Sequence, residues 1–193
     1  MRDVTLEQEE LSEGRGTPEE EAREAANGLE EEWPEDRPPE EKMGAESSQV
    51  AATILSFVRP HVSERKLGKV FGPDCGYQMP LDEAKKTRFP DGSFIARGRL
   101  PDDRTPPGNV KLNPDLVIEV VSPNDTAYEV EEKRVLYLKV GVRLLWIVYP
   151  STRTVFVFRP GGAVAVLGET DTLKGEDVLP DFACSVARFF EDL

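Results

Sequence analysis

Leu116-Val117-Ile118-Glu119-Val120-Val121 is followed by Ser122-Pro123-Asn124-Asp125, a polar stretch to about Lys139, Gly141, and then Leu144-Leu145-Trp146-Ile147-Val148-Tyr149. The first apolar run is dense in β-branched residues and reads as a strand buried on both faces. Ser122 to Asp125 offers helix-opening side chains, and Gly141 supplies the stop. The second apolar run is another buried strand. Strand, helix and strand of these lengths make a βαβ unit with parallel strands and a right-handed crossover. The predicted class is therefore α/β of the mixed kind.

Upstream of this unit, Val50, Ile54, Leu55, Phe57 and Val58 recur at near-helical spacing, and Pro60 stands close to the end. They predict a core helix over residues 50–62 with one polar face. After Gly68 the pattern breaks into short segments, residues 69–71, 76–79 and 89–95, which read as strands of a meander. Residues 100–113 hold four charged side chains and three prolines and read as a loop. Downstream, residues 154–158 and 163–167 flank Pro160-Gly161-Gly162 as a hairpin. An apolar segment at 178–182 and a short helix ending at Phe190 complete the chain. No internal repeat is present.

Charge places the domain boundary. Residues 1–46 carry 17 acidic and 5 basic side chains, leaving 20 acidic and 19 basic for the rest, so the net charge of −13 belongs almost wholly to the N-terminal stretch. Residues 1–43 are expected to be a disordered acidic arm, because they offer too little apolar surface to offset the entropy of ordering. Within it, Thr17-Pro18-Glu19-Glu20 has the form of a helix start, and Gly28 that of a stop. Residues 44–193 are expected to form the one folded domain. Bulk charge does not announce a nucleic-acid partner, so any phosphate contact must come from a local patch. Cys75 and Cys184, with the lone His61, provide neither a disulfide framework nor a zinc site. No apolar run approaches the roughly 18 residues of a membrane span, and the acidic start is unlike a signal peptide. The expected compartment is the cytoplasm of a prokaryote-like cell.

Glu119 is the most informative residue, since a carboxylate inside an aliphatic strand needs a cation beside it. Left ionised and unpaired, it would be unfavourable by several kcal/mol or would shift its pKa upward. Either a lysine or arginine at the strand end or a metal ion meets that need. Asp115 shares its face, but four residues of strand separate them by roughly 13 Å, so Asp115 after Pro114 reads as a turn residue. Asp91, in Phe89-Pro90-Asp91-Gly92-Ser93-Phe94, is first a turn signal. If its strand pairs beside residues 116–121, Asp91 and Glu119 meet at a sheet edge and offer hard oxygens to magnesium or manganese. Lys133 falls in the apolar arc of Val130, Leu136, Tyr137 and Val140 and could reach inward, whereas a surface pair with Glu129 is the alternative. Lys85, Lys86, Arg88, Arg97, Arg99 and Arg104 flank Asp91 as phosphate ligands or as solubilising loop charge. Two carboxylates holding a divalent ion, with a lysine nearby, suit phosphodiester hydrolysis at neutral pH without a histidine.

The ordered series Pro90-Asp91-Gly92-Ser93-Phe94, Pro114 to Asp125, Glu132-Lys133, Tyr137, Gly141-Val142, Leu145-Trp146-Ile147-Val148 and Asp177-Val178-Leu179-Pro180-Asp181-Phe182 closely resembles the Uma-two family of restriction-type endonucleases. The resemblance covers residues 44–193. It implies the PD-(D/E)XK nuclease superfamily, with a restriction-endonuclease-like mixed sheet flanked by helices, and Mg2+ or Mn2+ as cofactor. By position it implies Asp91 as the first acid, Glu119 as the second, and the Val120 carbonyl as a further metal ligand. The superfamily's usual lysine position holds Val121 here, and the resemblance implies Lys133 from the following helix in its place. A helix glutamate that binds metal in the superfamily has only Glu46 to match it, and Ser47-Ser48 stand where the family often shows histidine. The family's opening strand and Gly-Glu-Leu-like turn have no match in residues 29–43. The expected function is metal-dependent endonuclease cleavage of DNA, with a homodimer as the form that would cut both strands. The alternative is a catalytically silent nuclease-like fold, a binding or regulatory module with an acidic arm.

Overall fold

The computed structural model describes residues 44–193. The expected acidic arm over residues 1–43, with its helix start at Thr17 and stop at Gly28, lies outside the described residues.

Helix α1 runs over Ala45–Glu64 and buries Val50, Ala51, Ile54, Val58 and Val62 on one side. It is longer than the predicted 50–62 and continues through Pro60, which is exposed, so that water can serve the carbonyl whose helical donor the proline lacks. Strands β1 (Gly68–Phe71), β2 (Gly92–Ala96) and β3 (Leu116–Val120) follow, then helix α2 (Ala127–Lys139) and strand β4 (Leu144–Tyr149). The hairpin of β5 (Thr154–Phe158) and β6 (Val164–Leu167) comes next. Strands β7 (Thr172–Lys174) and β8 (Ala183–Ser185) and a 3-10 turn at Val186–Phe189 end the chain.

Strands β1 to β6 form one sheet in sequence order. Only β3 and β4 run parallel; all other neighbours are antiparallel. The predicted βαβ unit is thus the centre of a mixed sheet. The hairpin turns through Gly161 and Gly162 at φ 85° and 86°, left-handed backbone that glycine adopts without strain.

Strand alternation sorts the core into two layers. Phe94, Leu116, Ile118, Val120 and Trp146 face α1 and the small β7–β8 sheet. Ile95, Val117, Leu145 and Ile147 face Tyr137, Val140 and the loop residues Tyr77, Met79 and Val110. Both faces of the central strands are covered, so polar chemistry has room only at strand ends.

Further elements depart from the sequence reading or complete it. The strand at 76–79 is absent: Tyr77 makes single bridges to Arg88 and to Val110 in opposite senses, which leaves no continuous ladder. The segment 178–182 is a turn, closed by Leu179 N–H donating to the Gly175 carbonyl at 2.8 Å; the strands lie on either side of it. Helix α2 opens at Thr126 rather than at Ser122. Among the described residues no helix is long and apolar enough to cross a membrane.

Candidate active site

Strand β3 is buried along its whole length, and Glu119 is 4% exposed within it. It lies on the α2 face with Val117. Antiparallel pairing sets Gly92 opposite Ile118, and the same register carried one residue further sets Asp91 across from Glu119. Asp91, 6% exposed, does not continue the ladder by backbone. Its Oδ2 instead accepts the Val120 N–H at 2.7 Å, so the central strand itself holds the first acid. The two predicted acids are therefore both buried at the same end of β2 and β3, Asp91 held on the residue that follows Glu119.

Lys133 comes to the same place from α2. Its Nζ lies 2.9 Å from Glu119 Oε2, which settles the choice between a strand-directed lysine and a surface pair. Glu129, the alternative partner, closes a capping box with Thr126 and so fixes the start of α2. Burial works against the Lys133 charge, but Glu119, and beyond it Asp91 and Asp125, outweigh it and raise its pKa above the ordinary lysine value. At neutral pH Lys133 is a cation and no base.

Tyr137 is the residue that sequence reasoning left in the core. Its hydroxyl donates to Glu119 Oε1 at 2.7 Å. Burial, then the neighbouring Glu119 charge, pushes its pKa well above the usual tyrosine value, so it remains a donor. The available signal was its spacing: Lys133 and Tyr137 are four residues apart and share one helix face. Glu119 thus has both oxygens engaged, one by an ammonium and one by a phenol.

Other candidates fall elsewhere. Glu46 is exposed, and its neighbour Ser47 turns inward, donating to the Val121 carbonyl at 3.2 Å. Asp115 is no mere turn residue: it is 1% exposed, accepts the Ala96 N–H at 2.8 Å and meets Arg99 at 2.8 Å and Arg143 at 3.4 Å. Three of the basic loop residues serve structural carboxylates: Arg88 pairs with Asp82 at 2.8 Å, Arg97 with Asp103 at 3.6 Å, and Arg99 with Asp115. Lys85, Lys86 and Arg104 are exposed. His61 donates to the Pro180 carbonyl at 2.9 Å and packs edge-on against Phe182, remote from this chemistry. Both cysteines are unpaired thiols.

Among the described residues no three of His, Cys, Asp and Glu gather as a ready metal cage. Two buried carboxylates at one end of the central strands nevertheless suit magnesium or manganese, which take few hard protein oxygens and keep several waters. They do not match zinc, which favours nitrogen and sulfur.

The fold is a mixed sheet with a helix packed on each face, and Asp91, Glu119 and Lys133 lie at one end of its central strands. The chain belongs to the Uma2 family, described as "Putative restriction endonuclease", which matches residues 32–187. Its fold is similar to that of a crystal structure from Anabaena variabilis ATCC 29413 described as a putative nuclease belonging to DUF820. The TM-score is 0.65 at 21% identity, over 77% of this chain and 82% of the other. No protein of curated function matches the chain.

Proposed function

We propose that this domain is a magnesium- or manganese-dependent endonuclease acting on DNA in the cytoplasm, with Asp91, Glu119 and the Val120 carbonyl as metal ligands and Lys133 beside the scissile phosphate. The observation that carries the reading is Glu119 itself, an acid kept in the interior of the central strand with a second buried acid across from it and a lysine at 2.9 Å. Membership of a family described as restriction endonucleases favours DNA as the substrate.

A divalent ion held there by Asp91 and Glu119 would lower the pKa of a water and bring positive charge against the phosphate. The chain's own residues do the rest. The Val120 amide holds Asp91, and Tyr137 holds Glu119, so neither acid must be ordered when substrate arrives. Lys133 cannot take a proton at neutral pH; it offers its ammonium to a phosphate oxygen or orients the attacking water. One such site per chain cuts one strand, and cutting both in concert calls for a homodimer.

Cleavage of supercoiled plasmid in Mn2+ tests this against Glu119→Ala. We expect the variant to lose more than the roughly 10- to 100-fold that follows from removing a supporting group near a metal. Equal cleavage by both proteins overturns the assignment.

A second reading has its own observation. Both oxygens of Glu119 are satisfied by protein donors, which is what a silent nuclease fold serving as a binding or regulatory module would require. Mn2+ titration separates the two, since the silent module has no Mn2+ site that disappears in Asp91→Asn.

A further inference from the structure

The two donors on Glu119 differ in kind. Tyr137 is 2% exposed and reaches Oε1 from within the α2-side core. Lys133 reaches Oε2 with a side chain that is 36% exposed, while that of Glu119 is only 6% exposed. Solvent therefore approaches the carboxylate past Lys133, and the tyrosine side is sealed. A cation arriving from solvent competes with another cation at Oε2, whereas at Oε1 it would have to strip a buried hydroxyl of its acceptor and leave that hydroxyl unsatisfied.

We propose that Tyr137 is a positioning residue that fixes Oε1, and that Lys133 is a stand-in cation that keeps Oε2 until a divalent metal displaces it. Asp91 is pre-set in a comparable way by the Val120 N–H. Loading the site then moves one flexible side chain and leaves the strands in place. The ammonium, once released from Glu119, is the group delivered toward the phosphate. This inference rests on the reading of Glu119 as a metal ligand.

The two residues consequently act on metal affinity in opposite directions. Tyr137→Phe removes the anchor and weakens Mn2+ binding by about 10- to 100-fold, the usual effect of losing a group that orients a metal ligand. Lys133→Met removes the competitor and its repulsion, and tightens binding by about tenfold or more, the scale of one charge-assisted hydrogen bond. Nonspecific damage would weaken both.

The experiment is Mn2+ titration by calorimetry on wild type, Tyr137→Phe and Lys133→Met, with thermal melts of each with and without Mn2+. Opposite changes in the two variants support the proposal. Unchanged affinity in Tyr137→Phe, or unchanged or weaker affinity in Lys133→Met, overturns it. Should Tyr137→Phe fail to fold, the sign of the Lys133→Met change decides alone. A wild type that binds no Mn2+ overturns the underlying metal-site reading instead, so the two failures are distinguishable.

Discussion

A single acid in an aliphatic strand forces its surroundings to answer it, and here the answer comes from α2. Lys133 neutralises Glu119, and Tyr137 donates to it. The lysine pKa is raised on folding, so the contribution that comes from the Lys133 proton is present at pH values below the ordinary lysine value and is lost as pH climbs through the higher folded value. Asp82 works in the other direction. Its burial alone would raise the pKa, but the hydrogen bond and charge of Arg88 and the amides of Ala84 and Lys86 lower it. Its contribution is therefore present above the unfolded value of about 4 and is lost as pH falls through the folded one. We expect Asp82→Asn to flatten the decline in melting temperature between roughly pH 4 and pH 2; an unchanged acid limb contradicts this. Glu119 and Lys133 were legible because an acid in an aliphatic strand and an ammonium on an apolar helix arc both break a pattern. Tyr137 broke none, since a phenol on an apolar face reads as core. The roles of Arg88, Arg97 and Arg99 were hidden because their partners Asp82, Asp103 and Asp115 are set by folding, and loop charge carries no periodicity to betray them.

Each element delivers its site residue through local chemistry. Helix α2 could open anywhere in Ser122-Pro123-Asn124-Asp125-Thr126, since four of the five cap well. The glutamate three residues after Thr126 decides it through the capping box, while Asp125 turns back to accept the Ser122 N–H at 2.6 Å. Had the helix begun at Ser122, Lys133 and Tyr137 would still share a face, so their placement does not depend on the boundary. Thr126→Ala is expected to lower stability by about 1 kcal/mol, read as a drop of a few degrees in the circular-dichroism melt. No change would mean that tertiary contacts alone set the helix start. The segment at 76–79 was not legible because its alternation is real but its partners are not adjacent: Tyr77 stitches the Arg88 and Val110 loops together, and its hydroxyl reaches Ser93 at 2.7 Å.

Over the whole molecule, the βαβ unit was readable because it is local and parallel strands demand a crossover. On its β2 side the expected meander holds for β1 and β2 but not for the segment at 76–79 between them, because period-two patterns do not name partners. Charge is the other feature at this scale. Residues 1–42 hold 16 acidic and 5 basic side chains. Removing them takes away net negative charge and is expected to raise DNA affinity at fixed salt; equal affinity of the full and shortened chains would contradict this.

The claim on which the rest depends is that Asp91 and Glu119 share one divalent ion. Crystals grown with Mn2+ and measured for anomalous scattering test it directly. The account predicts one peak bonded to an oxygen of each carboxylate, at slightly more than the roughly 2.0 to 2.1 Å of magnesium, with Lys133 moved off Glu119. Density that leaves Glu119 closed between Lys133 and Tyr137, with no peak at the pair, would contradict it.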